Sequence, residues 1–301
     1  MNILKLNGVP FVKRRIQWSI GIYSGESPFN LVPAANVKNP VLRPRDVTDI
    51  PADDVADPFM IRRDSAWFMF FEVLHSKTKR GEIGLATSFD GIKWEYKQIV
   101  LKELFHLSYP HVFEWQNEYY MIPESFQAES VRLYKADKFP TDWTFVCNVL
   151  PKAHVDASLF RYKNKWWLFA TEFPREDTLR LYYADDLLGP WVEHPESPVV
   201  SGDLRIARPG GRVLVIGEQI FRFAQDDYHI YGDKLLALEI TELTTLTYKE
   251  QILTQNPILA GTGSGWNAIG MHHADLHQLG ENKWIASVDG QRKVLTFVLK
   301  K

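Results

Sequence analysis

Two sets of polar residues recur along this chain in a way that suits acid and base chemistry. Asp57, Tyr109, Asp156, Arg208 and Asp275 each open an apolar segment. Glu72, Glu124, Glu172, Gln225 and Asp289 each close the aromatic segment that follows, with Glu172 one place beyond strict register. Carboxylates gathered at one place can hold a polyhydroxylated ligand and move protons on it. Arg208, with Arg222, His111, His272 and His273 expected around the same mouth, adds cationic groups suited to phosphate or carboxylate. The ligands these residues predict are a saccharide, a sugar phosphate or a nucleotide sugar.

The elements that must position them form a repeat. Asp57-Pro58-Phe59-Met60-Ile61 followed by Trp67-Phe68-Met69-Phe70-Phe71-Glu72 superimposes without a gap on Tyr109-Pro110-His111-Val112-Phe113 followed by Tyr119-Tyr120-Met121-Ile122-Pro123-Glu124. Asp156-Ala157-Ser158-Leu159-Phe160 with its aromatic partner strand repeats the match, and shorter or longer versions return at Arg208 and Asp275. A period of roughly 50 residues made of short strands predicts one blade of a β-propeller per repeat. The fold expected is therefore all-β, a five-bladed β-propeller with four-stranded antiparallel blades. A third strand in each repeat ends in a turn and an aromatic, Trp94, Trp143, Trp191 or Tyr248, which can fill the space between blades. The fifth repeat holds only three strands, the last over residues 294–299, so residues 16–23 are expected to supply its outer strand and close the ring.

In such a ring the inner strand of each blade lines the axis and the second strand returns beside it. The start of one and the end of the other then lie at the same face, and the two polar columns converge. Asp57, Glu124 and Asp156 are the expected catalytic residues. Arg208, His111, Tyr109, Glu172, Arg222, Gln225, His273 and Asp275 are the expected ligand contacts.

Composition agrees with one domain over residues 1–301. The sequence is 45% hydrophobic and 13% aromatic, which suits blades stacked on large side chains. Residues 24–55, with five prolines, are expected as an ordered strap into the first blade. No apolar run reaches the length of a transmembrane helix, and the first residues lack the apolar core of a secretion signal. Cys147 is the single cysteine, so an intramolecular disulfide is impossible and a cytoplasmic location is expected. A net charge of −2 gives no global attraction for nucleic acid. No cofactor and no metal are expected: His273, Asp275 and His277 share a strand face but spread too far along it to grip one ion.

The strings Ala56-Asp57-Pro58-Phe59 and Val155-Asp156-Ala157-Ser158 resemble blade openings of five-bladed glycoside hydrolases, families 43, 32 and 130 among them. A similarity over nearly the whole chain is to the propeller at the N-terminus of plant glucosamine inositolphosphorylceramide transferases and related bacterial proteins. It is carried by Ser108-Tyr109-Pro110-His111, Tyr120-Met121-Ile122-Pro123-Glu124, Ala207-Arg208-Pro209-Gly210-Gly211 and Gln225-Asp226. The resemblance implies a glycan-related role and a partner transferase, since sugar transfer in those plant proteins is assigned to a separate domain. The hydrolases imply a base or nucleophile at Asp57, then an aspartate opening the second blade and a glutamate opening the third. This chain has Tyr109 and Asp156 there, so Glu124 is the substitute acid, its pKa raised by desolvation.

Plainer roles stand beside these. The glutamates can accept backbone hydrogen bonds at blade ends, the aspartates can tie blades together near the axis, and Arg208 can be their counter-charge. Trp67, Trp166, Trp167 and Trp284 suit the core, leaving Trp115 and Trp266 as the better sugar-stacking surfaces. The readings that remain are a carbohydrate-active enzyme, a noncatalytic glycan-binding propeller, and a protein-interaction scaffold.

Overall fold

The computed structural model describes residues 12–297. Its strands form five antiparallel sheets in a ring, a five-bladed β-propeller, with three short 3-10 turns between them. Blade one runs outward from the axis through Ala52–Arg63, Ala66–His75, Gly81–Ser88 and Glu95–Leu101, and blade two through Ser108–Trp115, Glu118–Glu124, Val131–Lys138 and Asp142–Leu150. Blade three begins with His154–Tyr162, Lys165–Glu172 and Thr178–Ala184 and ends in the two-residue strand Val192–Glu193. In blade four the inner strand is split into Arg208–Pro209 and Leu214–Ile216, followed by Gln219–Asp226, Lys234–Leu243 and Tyr248–Ile252.

Blade five closes the ring differently from the sequence expectation. Lys283–Phe297 is one long strand beside the inner Ala274–Gly280, so residues 291–297 extend the second strand and do not fold back as a third, while residues 298 and 299 of that expected strand lie outside the described residues. The N-terminal strand Val12–Ser27 is thus the third strand, paired from Val12 with Phe297 to Gly25 with Trp284. Asn30–Pro33, part of the expected strap, is the outermost. Gly290 and Gln291 stay in register with Ser19 and Trp18, and Gln291 exchanges backbone hydrogen bonds with Ile269 and Gly270, so the strand runs through.

Each junction between blades holds one apolar cluster. Ile20 and Ile22 of blade five pack with Met60, Met69 and Phe71 of blade one. Phe59 and Phe70 meet Val112, Met121 and Tyr134 at the next junction, and Leu159 and Trp166 meet Ile122 and Leu133 at the third. Burying one such side chain contributes roughly 1.5–3 kcal/mol, so the ring is held by its junctions as much as by its ladders. The corner aromatics sit in them as expected. The indole N–H groups of Trp94, Trp143 and Trp191 donate to turn carbonyls of Gly91, Pro140 and Leu187. Trp143 packs edge-on against Phe70 of blade one, and Tyr248 against Phe169 of blade three.

Candidate active site in the central well

Three blades open with the same backbone irregularity. Ala56 pairs with Glu72 and Phe59 with Phe70, leaving Asp57 and Pro58 against a single partner residue. Ser108 with Glu124 and His111 with Ile122, then Val155 with Thr171 and Ser158 with Phe169, repeat the bulge at Tyr109 and Asp156. The first bulge residue has positive φ each time, 53°, 45° and 51°. Holding a non-glycine residue there costs on the order of 1 kcal/mol or more, and bulges re-aim side chains. Here they turn Asp57 and Asp156 toward the axis.

Arg208 from blade four joins them. Its Nε donates to Asp156 Oδ2 at 2.6 Å, its Nη1 to Glu176 at 3.3 Å, and its Nη2 lies 3.7 Å from Glu124. Gln225 donates to the same Asp156 oxygen at 2.8 Å and to Pro209 O. The guanidinium lies over the ring of Tyr231. Burial raises the Glu124 carboxyl well above the usual range, the neighbouring Asp156 carboxylate raises it further, and Arg208 opposes the rise.

Blade five supplies a second cluster. His272 Nδ1 is 2.8 Å from Asp289 Oδ1 and its Nε2 is 3.8 Å from Asp57. Its ring stacks on Trp18 of the N-terminal strand. Burial alone would lower its pKa, but Asp289 and Asp57 outweigh that and lift it to about 9. Burial pushes Asp57 up to about 7, with Asp156 and Asp289 adding to the rise and His272 opposing it. Glu72, 3.4 Å from His106, is raised by burial and then by Asp57, while burial lowers His106 to about 4. Asp57, His272 and Asp289 also have donor atoms within 4.8 Å of one another, as a metal ion would need. Asp289 already accepts from four N–H groups, which hold its carboxylate ionised despite its burial, and it is the counter-charge that lets His272 keep its proton.

Tyr109, His111, His273 and Asp275, expected as ligand contacts, lie below this layer. Tyr109 crosses the axis, its hydroxyl 2.7 Å from Ser158 Oγ, accepting from Gly211 N at 2.7 Å and donating to Gly211 O. Phe59 packs against the rings of Tyr109, His111 and His273, so aromatic rings fill the axis beneath the acids. His273 is a neutral core histidine, held down to about 4 chiefly by burial. Asp275 is deeper still: burial would raise it, but Arg212 and His277 hold it below the usual range. The displacement follows from register. Ala274 pairs with Val288, so His272 and His273, not Asp275, stand beside Asp289 at the blade opening.

Two other expected contacts lie outside the cluster. Arg222 is spent between blades on Glu250, through Nε and Nη2, and on Ile206 O. Glu172 pairs with Arg180 at a separate cavity of about 380 Å³ lined also by His154 and Phe173. Trp115 is covered by Arg161, and Trp266 is packed on Gly21 and Gly290, so neither offers the open face expected for sugar stacking. The residues not anticipated at the well are Tyr231, Asp227, His106 and Glu176. Asp227 and Tyr231 lie two and six residues after Gln225, and the acidic and aromatic run over residues 226–231, after a second-strand end, was the available signal.

With this geometry in hand, known proteins give its family. Residues 13–291 match the family described as glucosamine inositolphosphorylceramide transferase 1, N-terminal. The chain belongs to that family. It is 38% identical over 297 residues to glucosamine inositolphosphorylceramide transferase 1 of Oryza sativa subsp. japonica and 33% identical to that of Arabidopsis thaliana. Each match takes in 91% of this chain but 40% and 39% of the relative, so the chain spans about two fifths of those proteins' length. Among solved structures, a β-1,2-mannobiose phosphorylase from Listeria innocua in complex with β-1,2-mannobiose is similar with a TM-score of 0.64 and 13% identity, covering 89% of this chain and 96% of that one. A family 117 glycoside hydrolase from Zobellia galactanivorans gives 0.54 and 17%, covering 79% and 84%. These likenesses are of fold. Among the described residues no helix is long and apolar enough to cross a membrane.

Proposed function

We propose that the well binds a saccharide and breaks or transfers its glycosidic bond, with Asp57 as base and Glu124 as acid. The observation that carries this reading is the convergence of two carboxyls, from adjacent blades, in surroundings that hold their protons differently. Asp57 ionises near pH 7 beside the cationic His272, whereas Glu124 is kept protonated by burial and by Asp156. Burial raises both, and their neighbours differ, a cationic histidine opposing the rise at Asp57 and a carboxylate adding to it at Glu124, which suits them to opposite roles. Glu124 gives its proton to the leaving oxygen as the bond from the anomeric carbon breaks. Asp57 takes the proton of the incoming hydroxyl, from water in hydrolysis or from an acceptor alcohol in transfer. Asp156 and Arg208, bound to each other, fix the position and charge of Glu124.

Arg208 was expected to hold a phosphate. Its Nε and Nη1 are engaged by Asp156 and Glu176 and its Nη2 faces Glu124 at 3.7 Å, so this reading rests on the acids and not on an anion site. The test is turnover of aryl glycosides and nucleotide sugars by the wild type and by Asp57→Asn and Glu124→Gln. Loss of turnover of at least about 100-fold in each, with folding retained, supports it; turnover unaltered in both overturns it.

One observation favours a second reading. The chain matches about two fifths of its plant relatives, and the matching family is an N-terminal one. A noncatalytic propeller that presents a glycan to a transferase would give saccharide binding with no product from any substrate.

A further inference from the structure

We infer that the cavity between blades two and three, beside the mouth, is a second saccharide site, which takes a neutral sugar residue of a chain whose end lies at Asp57 and Glu124. This rests on the reading that the well takes a saccharide, and it makes that saccharide an oligosaccharide. The cavity has a volume of about 380 Å³, inside the roughly 300–1,000 Å³ of small-ligand sites. Three segments join it to the central acids. His154 lines it two residues before Asp156, and two residues span at most about 7 Å. Phe173 lines it three residues before Glu176, which meets Arg208 Nη1 at 3.3 Å. Phe126, two residues after Glu124, packs its ring on that of Phe173 with centroids 4.5 Å apart. Phe126 also lies 6.4 Å, ring to ring, from His106, the partner of Glu72. A row of three rings thus leads from the acids to the cavity, over the reach of neighbouring units in a sugar chain.

The lining sets the class of ligand. Arg180 is bound to Glu172 at 2.7 Å and to Glu193, outside the lining, at 2.6 Å, so its charge is matched and an anion finds no free guanidinium. Burial lowers the pKa of His154, which therefore adds no charge. That leaves the exposed Lys152 and Glu129, one of each sign and from different segments of the chain. Phe173 stays 37% exposed, and its N–H donates to Ala153 O at 3.3 Å, which fixes it at the cavity. A partly open aromatic ring beside fixed donors and acceptors is the pairing a polyhydroxylated ring needs, with its C–H groups on the aromatic and its hydroxyls on Glu172 and Arg180.

A glycan array of neutral, acidic and amino-bearing glycans, one to four units long, tests this with the intact chain, followed by calorimetry on the tightest glycan and on the same glycan shortened unit by unit. Neutral glycans of two or more units are expected to bind at least about 10-fold more tightly than their single terminal sugars, the worth of one good hydrogen bond. Phe173→Ala, and separately Ala153→Trp, which puts bulk into the cavity, are each expected to shrink that preference to below about 3-fold. Equal affinity for single sugars and longer glycans, tightest binding where the second unit carries a charge, or a length preference that survives in both variants overturns the second site while leaving a saccharide in the well. Absence of binding by every glycan overturns both.

Discussion

Arg208 Nε meets Asp156 Oδ2 at 2.6 Å, and the pair joins blade four to blade three where both side chains are nearly closed to solvent. Removing one member of a buried pair strands the other without a counter-charge. Arg208→Met is therefore expected to cost about 3–5 kcal/mol, read by urea unfolding. The double variant Arg208→Met with Asp156→Leu should recover part of that loss, because no charge is then left unpaired. A single variant as stable as the wild type would mean that the pair does not stabilise the ring.

His272 and Asp57 make stability depend on pH. His272 has its folded pKa raised to about 9 from 6.5, so its contribution is fully present below pH 6.5 and is lost as pH rises through about 9. Asp57, raised from 3.8 to about 7, acts in the same direction over a lower window, with its share lost as pH rises through about 7. The melting temperature is expected to fall between pH 6.5 and 9, by the equivalent of roughly 1–3 kcal/mol. His272→Gln should flatten that slope. A melting temperature that climbs over this window in the wild type contradicts the assignment.

Activity should follow the acids separately. Turnover per substrate is expected to rise as Asp57 ionises near pH 7 and to fall at higher pH as Glu124 loses its proton. In Glu124→Gln the alkaline limb should vanish together with most of the rate, while the limb near pH 7 remains in the residual activity. A profile flat from pH 5 to 9 would detach both carboxyls from the chemistry.

How much of this was legible in the sequence depended on how local each signal was. The bulged openings repeat as short strings, so Asp57 and Asp156 could be placed at the axis from Pro58 and Ala157 beside them, and Glu124 and Gln225 from the aromatic strands they end. Register within blade five was not local. Val12–Ser27 lies at the other end of the chain from its partner Lys283–Phe297, and nothing near Gly290 announces that the strand runs on. Asp275 was set at the mouth by aligning its string with the other openings, whereas Ala274 pairs with Val288 and leaves His272 and His273 beside Asp289. Arg222 illustrates a different limit. It shares a strand with Gln225, but an odd offset puts it on the opposite face, where Glu250 from an outer strand waits.

The floor of the well gives the last prediction. Tyr109 is a bulky residue held at φ 45°, and what holds it is its hydroxyl, which accepts from Gly211 N and reaches Ser158 Oγ across the axis. Gly211 cannot change to make the fit easier, because a Cβ there would stand 1.9 Å from Ala274 O. Tyr109→Phe keeps the ring packing on Phe59 and His273 but leaves the buried Gly211 N–H without its acceptor. The expected cost is about 1–3 kcal/mol by chemical denaturation. Because Tyr109 N also donates to Asp57 Oδ2 at 3.3 Å, any relaxation of the bulge moves the proposed base, and ligand affinity should fall along with stability. A Tyr109→Phe variant as stable as the wild type, with unaltered saccharide binding, would show that the bulge is held by the ladder alone.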